Sequence, residues 1–301
     1  MKKLYRKINE LWLKCRQWSN SNILGYFVGG IVKIVMITAI GLILFYGLFI
    51  VGPFKDTEED TTVTDAAPNN CSVLGINLHG MLLTYIPSHA ESDTLFNYDS
   101  VSSEDVIGKI KEANKDPKIK AIVLEVDSSG GSPVAGEEIA AAIKNSEKPV
   151  VAFIRGIGAS SSYWAISNAE KIWASKNSSV GSIGITMSYV SNAERNKKDG
   201  LTYEKLSSGI YKDSGSADMP LTQEERTLFM RDINIMYGNF IEAIAANRNI
   251  SVDKVKDIAD GSTVLGDKAK ELGLIDEIGS LVEVEEYLEK KIGETPEVCW
   301  Q

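Results

Sequence analysis

From Ile34 to Gly52 the chain runs for 19 residues without a charge, IVMITAIGLILFYGLFIVG. As a helix that run is roughly 28 Å long, enough to cross a hydrocarbon core of about 30 Å. Extending it back to Ile23 adds only Lys33, whose ammonium can reach the headgroups on its flexible stem. The run therefore predicts one transmembrane span over residues 23–53 and divides the chain. Residues 1–53 hold seven Lys and Arg against Glu10 alone, a net of +6 in a chain that totals −9, so the remainder carries −15. Basic residues precede the span, and Lys55 is soon followed by Glu58, Glu59 and Asp60. The positive-inside rule then puts residues 1–22 in the cytoplasm and the bulk of the chain outside. A cleaved signal peptide fits less well. The basic region is too long, the apolar run exceeds the usual length, and no small-residue cleavage site follows closely.

Residues 54–70 are acidic, then Thr-rich, with no apolar period, and read as a tether. In the basic segment Leu4, Ile8, Leu11 and Leu13 alternate with cations. It is either an amphipathic helix on the inner headgroups or an ordinary flanking helix. A domain as acidic as residues 71–301 lacks the basic footprint that nucleic acid requires, so no nucleic-acid partner is expected.

Beyond the tether, apolar strands alternate with helical patterns, which predicts an α/β fold. Val73 to Leu78 reads as a strand, and Val106, Ile107, Ile110 and Ala113 mark one helix face. Ile119 to Val126 is a buried strand ending at Gly130-Gly131, followed by a short helix over Val134 to Ile143. Val150 to Ile154 is the next strand and leads into Gly158-Ala159-Ser160-Ser161-Ser162-Tyr163. Farther on, Thr222 and Glu225 form a capping-box pattern that opens a long helix. Leu228, Phe229, Ile233, Met236, Phe240, Ile241 and Ile244 recur on one face of it, as core or subunit interface.

Two strand ends thus carry the candidate site. Ser160 would stand at a helix N-terminus, where backbone N–H groups and the helix dipole can hold an oxyanion. The serines are equally good N-cap formers, so the triplet alone does not assign chemistry. A serine hydroxyl needs a base. The only histidines, His79 and His89, lie far upstream, whereas Lys212 follows Ser160 by 52 residues on a Gly/Ser-rich stretch. A lysine serves as base if desolvation makes it neutral near pH 7. The pair reads as a Ser-Lys hydrolase.

Five motifs in order extend this reading: Val126-Asp127-Ser128-Ser129-Gly130-Gly131-Ser132-Pro133, Gly158-Ala159-Ser160, Val180-Gly181-Ser182-Ile183-Gly184, Ser208-Gly209-Ile210-Tyr211-Lys212-Asp213, and Ala259-Asp260-Gly261 with the segment Gly266 to Asp276. From about Cys71 to Leu281 the chain resembles the signal peptide peptidase A family of serine proteases, relatives of the ClpP/crotonase fold. The resemblance implies a ClpP/crotonase-like serine protease domain over 71–301 and a place in the bacterial inner membrane with the protease domain extracytoplasmic. It makes Ser160 the nucleophile and Lys212 the general base, with Ser182 orienting the lysine amine. The oxyanion site is assigned to the Gly130-Gly131 turn, through the Gly131 N–H, and to the N–H of Ser161. The substrates it implies are signal peptide remnants and other apolar or unfolded peptides near the lipid bilayer. Single-repeat members form homo-oligomeric rings, which would let the lysine of one subunit meet the serine of its neighbour. The family usually has Gly-Gly where this chain has Ser161-Ser162, and a Cβ at 161 would strain a turn of positive φ there.

No Cys/His metal spacing, phosphate loop or dinucleotide fingerprint is present, so no metal or other cofactor is expected. Cys15 falls on the cytoplasmic side, and Cys71 and Cys299 fall outside. A bridge between the last two is permitted there, but we read both as free thiols. Two rival functions remain: a Ser-His-Asp hydrolase using His79 or His89, and a non-catalytic membrane scaffold with a degenerate protease fold.

Overall fold

The computed structural model describes residues 71–86 and 99–301. The basic segment 1–22, the span 23–53, the tether 54–70 and His89 lie outside those residues. No helix among the described residues is long and apolar enough to cross a membrane. In chain order the first half holds β1 (Val73–Leu83), β2 (Ser100–Ser102), α1 (Ser103–Lys115), β3 (Ala121–Gly131), α2 (Pro133–Lys144), β4 (Val150–Ala159) and α3 (Ser161–Ile166). Then come β5 (Lys171–Ala174), β6 (Ser179–Gly181), α4 (Ala193–Lys198) and α5 (Gln223–Arg248). The chain ends with α6 (Val252–Ile258), β7 (Thr263–Leu265), α7 (Gly266–Glu271), β8 (Glu277–Ile278), α8 (Leu281–Ile292) and β9 (Val298–Trp300).

The alternation of strand and helix yields the expected α/β architecture. Strands run in the order β2-β1-β3-β4-β5-β8, all parallel. Parallel strands are covered on both faces, which is why β3 and β4 are nearly uninterrupted apolar runs. Ile122, Leu124 and Val126 join a core with Val106 and Ile110 of α1, Ile139 of α2 and Tyr163 of α3. Their neighbours Ala121 and Val123 join Val151, Phe153 and Trp173 under Val284 and Leu288 of α8. One-residue alternation across the pleat divides the two cores.

Local signals set the helix ends. Ser102 caps α1 by accepting from the Asp105 N–H at 3.1 Å, and Pro133 occupies the first turn of α2. The capping box of α5 forms as its sequence predicts. Only the C-terminal part of that helix's apolar stripe enters the core, through Phe240, Ile241 and Ile244. Leu228, Phe229, Ile233 and Met236 stay half-buried, and Met230 and Ile235 are exposed.

The cysteine reading is corrected. Cys71 and Cys299 form a disulfide with Cα atoms 5.8 Å apart. The physical reason is strand pairing: β9 lies parallel on the start of β1, with Leu74 opposite Cys299, and so brings the two ends of the domain together.

Near the site the ladders become irregular. The β1–β3 register shifts between His79 and Met81, and the β3–β4 register shifts between Val126 and Ser128. Past these points β3 delivers Gly130-Gly131 and β4 delivers Ser160. Strand β6 pairs with the last residues of β4, Ile157 to Ala159, and takes β7 antiparallel on its other side.

Candidate active site

The chain passes from β4 into α3 through Ser160, whose φ of 55° and ψ of −131° lie where non-glycine residues are uncommon. Its N–H donates to the Gly181 carbonyl at 2.7 Å, and its carbonyl accepts from the Trp164 N–H at 3.0 Å. The left-handed residue is Ser160 itself rather than Ser161. A sharp strand-to-helix turn of this kind pushes a side chain out of the backbone. Ser160 is half-buried, and its Oγ makes no hydrogen bond among the described residues. The N–H of Ser161, first in the helix, has no intrahelical carbonyl to bond.

Gly130 closes against this elbow, and Gly131 against β1. A Cβ on Gly130, whose φ is 102°, would come within 2.9 Å of both the Ala159 carbonyl oxygen and the Ser160 Cβ. A Cβ on Gly131 would come 2.1 Å from the Leu82 carbonyl oxygen. Backbone therefore touches backbone, which only glycine allows. The Gly130 N–H is engaged by Ser128 Oγ at 3.1 Å. Among the oxyanion residues expected from sequence, that leaves the amides of Gly131 and Ser161 for an incoming carbonyl, with Gly130 shaping the turn.

The three consecutive serines have different surroundings. Ser162 is fully buried; its Oγ accepts from the Ala159 N–H at 2.9 Å and donates toward the carbonyls of Ser128 and Ala159, each at 2.7 Å. Ser161 is also buried, and its Oγ has no hydrogen-bond partner. Of the three, only Ser160 has a hydroxyl that is neither sealed in the interior nor committed to the backbone.

Ser182 is brought beside the elbow, because Gly181 binds the Ser160 N–H, and it too has a positive φ of 49°. Its N–H donates to Ser262 and its Oγ to the Gly261 carbonyl at 2.8 Å, so the hydroxyl faces Gly261. Lys212 is not brought in. It is exposed, its N–H bonds locally to the Gly209 carbonyl at 3.0 Å, and no hydrogen bond or ion pair of its ammonium group is present among the described residues. His79 bonds through Nε2 to Glu125 at 3.1 Å, a carboxylate shared with Arg155. It sits with Glu125 on the sheet face away from α3, which removes the support for a Ser-His pairing at this residue.

Behind the site, Tyr163 is fully buried and donates to the Leu274 carbonyl at 2.7 Å. Burial, the largest effect, holds its phenol well above the usual range, so it serves as a neutral donor. The buried Arg248 guanidinium pairs with Asp276 at 2.9 Å, and Asp276 accepts from the Ile172 N–H at 2.8 Å. This network fixes α3 against β5 and the turn after α7. Sequence reasoning missed it, and it also missed Ser128; only tertiary pairing brings these groups together. Among the described residues no cluster of three or more His, Cys, Asp or Glu is arranged for a metal.

Comparison with known proteins agrees with the motif reading. Residues 142–293 match peptidase family S49. A Methanocaldococcus jannaschii protein named as a protease is 34% identical over 192 residues, covering 63% of this chain and 62% of that protein. The chain thus spans less than two thirds of that relative. An Enterococcus faecium protein named as signal peptide peptidase SppA is 28% identical over 275 residues, covering 84% of this chain and 78% of its own length. Among solved structures, a ClpP1 mutant from Listeria monocytogenes superposes with a TM-score of 0.43 at 16% identity, over 68% of this chain and 91% of that one.

Proposed function

The chain belongs to peptidase family S49, and from that premise we propose that it is a serine protease with Ser160 and Lys212 as its catalytic dyad. The observation that carries the proposal is the elbow: Ser160 stands at a left-handed strand-to-helix turn against which Gly130 is closely packed. In this reading neutral Lys212, oriented by Ser182, takes the proton from Ser160 Oγ as Oγ attacks the scissile carbonyl. The N–H groups of Gly131 and Ser161 hold the tetrahedral oxyanion. Protonated Lys212 passes its proton to the leaving amine, and water hydrolyses the acyl-enzyme.

Two further elements belong to the proposal. The domain is ClpP/crotonase-like and works as a homo-oligomeric ring in which Lys212 reaches the Ser160 of a neighbour. A lysine must be desolvated to act as base at neutral pH, and Lys212 is exposed on its own subunit. The enzyme is held by residues 23–53 in the bacterial cytoplasmic membrane with the protease domain outside, acting on signal peptide remnants and unfolded apolar segments. The Cys71–Cys299 disulfide supports that side, since such bonds persist in oxidising compartments.

The test is cleavage of casein and a synthetic signal peptide by the detergent-solubilised full chain beside Ser160→Ala and Lys212→Ala. Both variants should assemble and be inactive. Full activity in Ser160→Ala would refute the nucleophile assignment, and an inert wild type under every assembly condition would favour a scaffold.

A further inference from the structure

Two serines with no chemistry of their own join the halves of this site. Ser128 is 1% exposed and Ser162 is 0% exposed. The Ser128 hydroxyl donates to the Gly80 carbonyl at 2.6 Å and accepts from the Gly130 N–H at 3.1 Å. The Ser128 carbonyl accepts from Ser162 Oγ at 2.7 Å, and Ser162 Oγ in turn accepts from the Ala159 N–H at 2.9 Å. The oxyanion turn and the serine elbow therefore hang from one residue, the turn by its side chain and the elbow by its carbonyl.

The placement of these bonds gives them their role. Register is interrupted in both flanking ladders just before the site, between His79 and Met81 on β1 and between Val126 and Ser128 on β3. Pairing resumes beyond the shifts, but the β3–β4 ladder ends at Ser128 and Gly158, so no ladder pair holds Gly131 against Ser160, although a useful oxyanion site tolerates only sub-ångström error. Ser162 closes a loop around Ser160, since Ala159 and Ser162 flank the elbow and bond to each other.

Resting on the reading of Ser160 as nucleophile, we propose that Ser162, acting through Ser128, is the positioning residue that sets the distance between the Ser160 hydroxyl and the Gly131 amide. Neither serine touches substrate. The hydroxyl of Ser162 matters because it spans from the helix that follows the nucleophile to the strand that carries the oxyanion donor.

The experiment measures kcat and KM on a signal peptide, and the rate at which an alkyl fluorophosphonate labels Ser160, in the full detergent-solubilised chain. In that labelling the Oγ–P bond forms as fluoride leaves, and the base takes the hydroxyl proton. Ser162→Ala should lower kcat and the labelling rate by on the order of tenfold to a hundredfold, with KM within about twofold. Ser128→Ala should act in the same direction, and the double variant should fall well short of the product of the two losses because both loosen the same Ser160–Gly131 spacing, one from the turn and one from the elbow. Ser162→Cys, a weaker donor of nearly the same size, should lie between alanine and wild type, and it carries the test if alanine does not fold. Ser167→Ala is the control. It removes a buried hydroxyl just after α3, bonded to the Trp164 carbonyl at 2.7 Å and to Asn247 at 2.8 Å, and should lower the melting temperature while keeping kcat. A Ser162→Ala enzyme that melts like Ser167→Ala yet labels at the wild-type rate would overturn the positioning role alone. A wild type that cleaves the peptide but is labelled at another serine would overturn the nucleophile reading and this proposal with it.

Discussion

Ser160 is gripped by every element around it, whereas Lys212 stands on a stretch that its own subunit barely covers. Around Ser160 the contacts are backbone to backbone: Gly181 and Trp164 by hydrogen bonds, Gly130 by direct approach. Around Lys212, Leu206 is 94% exposed and Ile210 is 74% exposed, and the hydrogen bonds are local, such as Lys205 Nζ to the Ile210 carbonyl at 2.8 Å. Under the proposed dyad the difference follows from what each part would have to do. A nucleophile and its oxyanion donors need a fixed geometry, and one chain can supply that from strand ends. Met187, Val190, Leu201 and Tyr211 are exposed as well, apolar surface of the kind that a partner molecule covers. We take that molecule to be a second copy.

The sharpest way to break this contrast is to mix the two inactive variants. Ser160→Ala and Lys212→Ala should each lose at least about a thousandfold in kcat. Co-assembled in equal amounts, they should recover about a quarter of wild-type turnover if each site takes its serine and lysine from adjacent subunits of a symmetric ring. A mixture that assembles and stays inactive would place the dyad within one subunit.

Backbone tolerance should differ as sharply. Gly130→Ala puts a methyl against Ala159 and Ser160 at a φ of 102°, where strain alone costs about 1–3 kcal/mol. Its kcat should fall by on the order of a hundredfold. Gly209→Ala meets nothing closer than the Lys212 Cβ at 3.9 Å and should shift stability by less than about 0.5 kcal/mol. Urea titration and initial rates on both variants check this. Equal effects would mean that the lysine stretch is as tightly held as the elbow.

How well the sequence foretold each region tracks the same division. The strand ends at Gly130-Gly131 and Ser160 were legible because an apolar run, a small-residue turn and a helix pattern all lie within a dozen or so residues of one another. The Thr222–Glu225 box was legible because it spans only four residues. The Cys71–Cys299 bond was not, since its partners are 228 residues apart and meet only because β9 pairs with β1. The Ser128–Ser162 link was hidden for the same reason. Periodicity marked an apolar stripe on α5 but could not say that its first half, from Leu228 to Met236, would be left partly uncovered. The expected strain at residue 161 falls one residue earlier, because the turn places its left-handed residue at the helix N-cap.

If the lysine stretch is an interface, a polar substitution there should act on assembly and hardly on folding. Leu206→Ser removes a side chain with almost no intrasubunit cover, so stability measured below the association range should move by less than about 0.5 kcal/mol. The midpoint of assembly, followed by sedimentation, should weaken by roughly tenfold, as for a modest interface hot spot. A large loss of folding stability with assembly intact would show that Leu206 packs within its own subunit.

Within the tightly held half, one group is there at a cost. Ser161 is 2% exposed and its Oγ has no partner. An unsatisfied buried hydroxyl disfavours the folded state by about 1–3 kcal/mol, whereas an alanine methyl in its place needs no partner. Ser161→Ala should therefore raise the urea midpoint, with a gain of about 1 kcal/mol and an unchanged m-value. The backbone N–H assigned to the oxyanion is retained, so the substitution separates the side chain's energetic cost from the amide's role. A loss of stability instead would mean that the hydroxyl bonds a buried water in solution. The elbow would then be fully satisfied, and its only stored strain would be the left-handed backbone of Ser160.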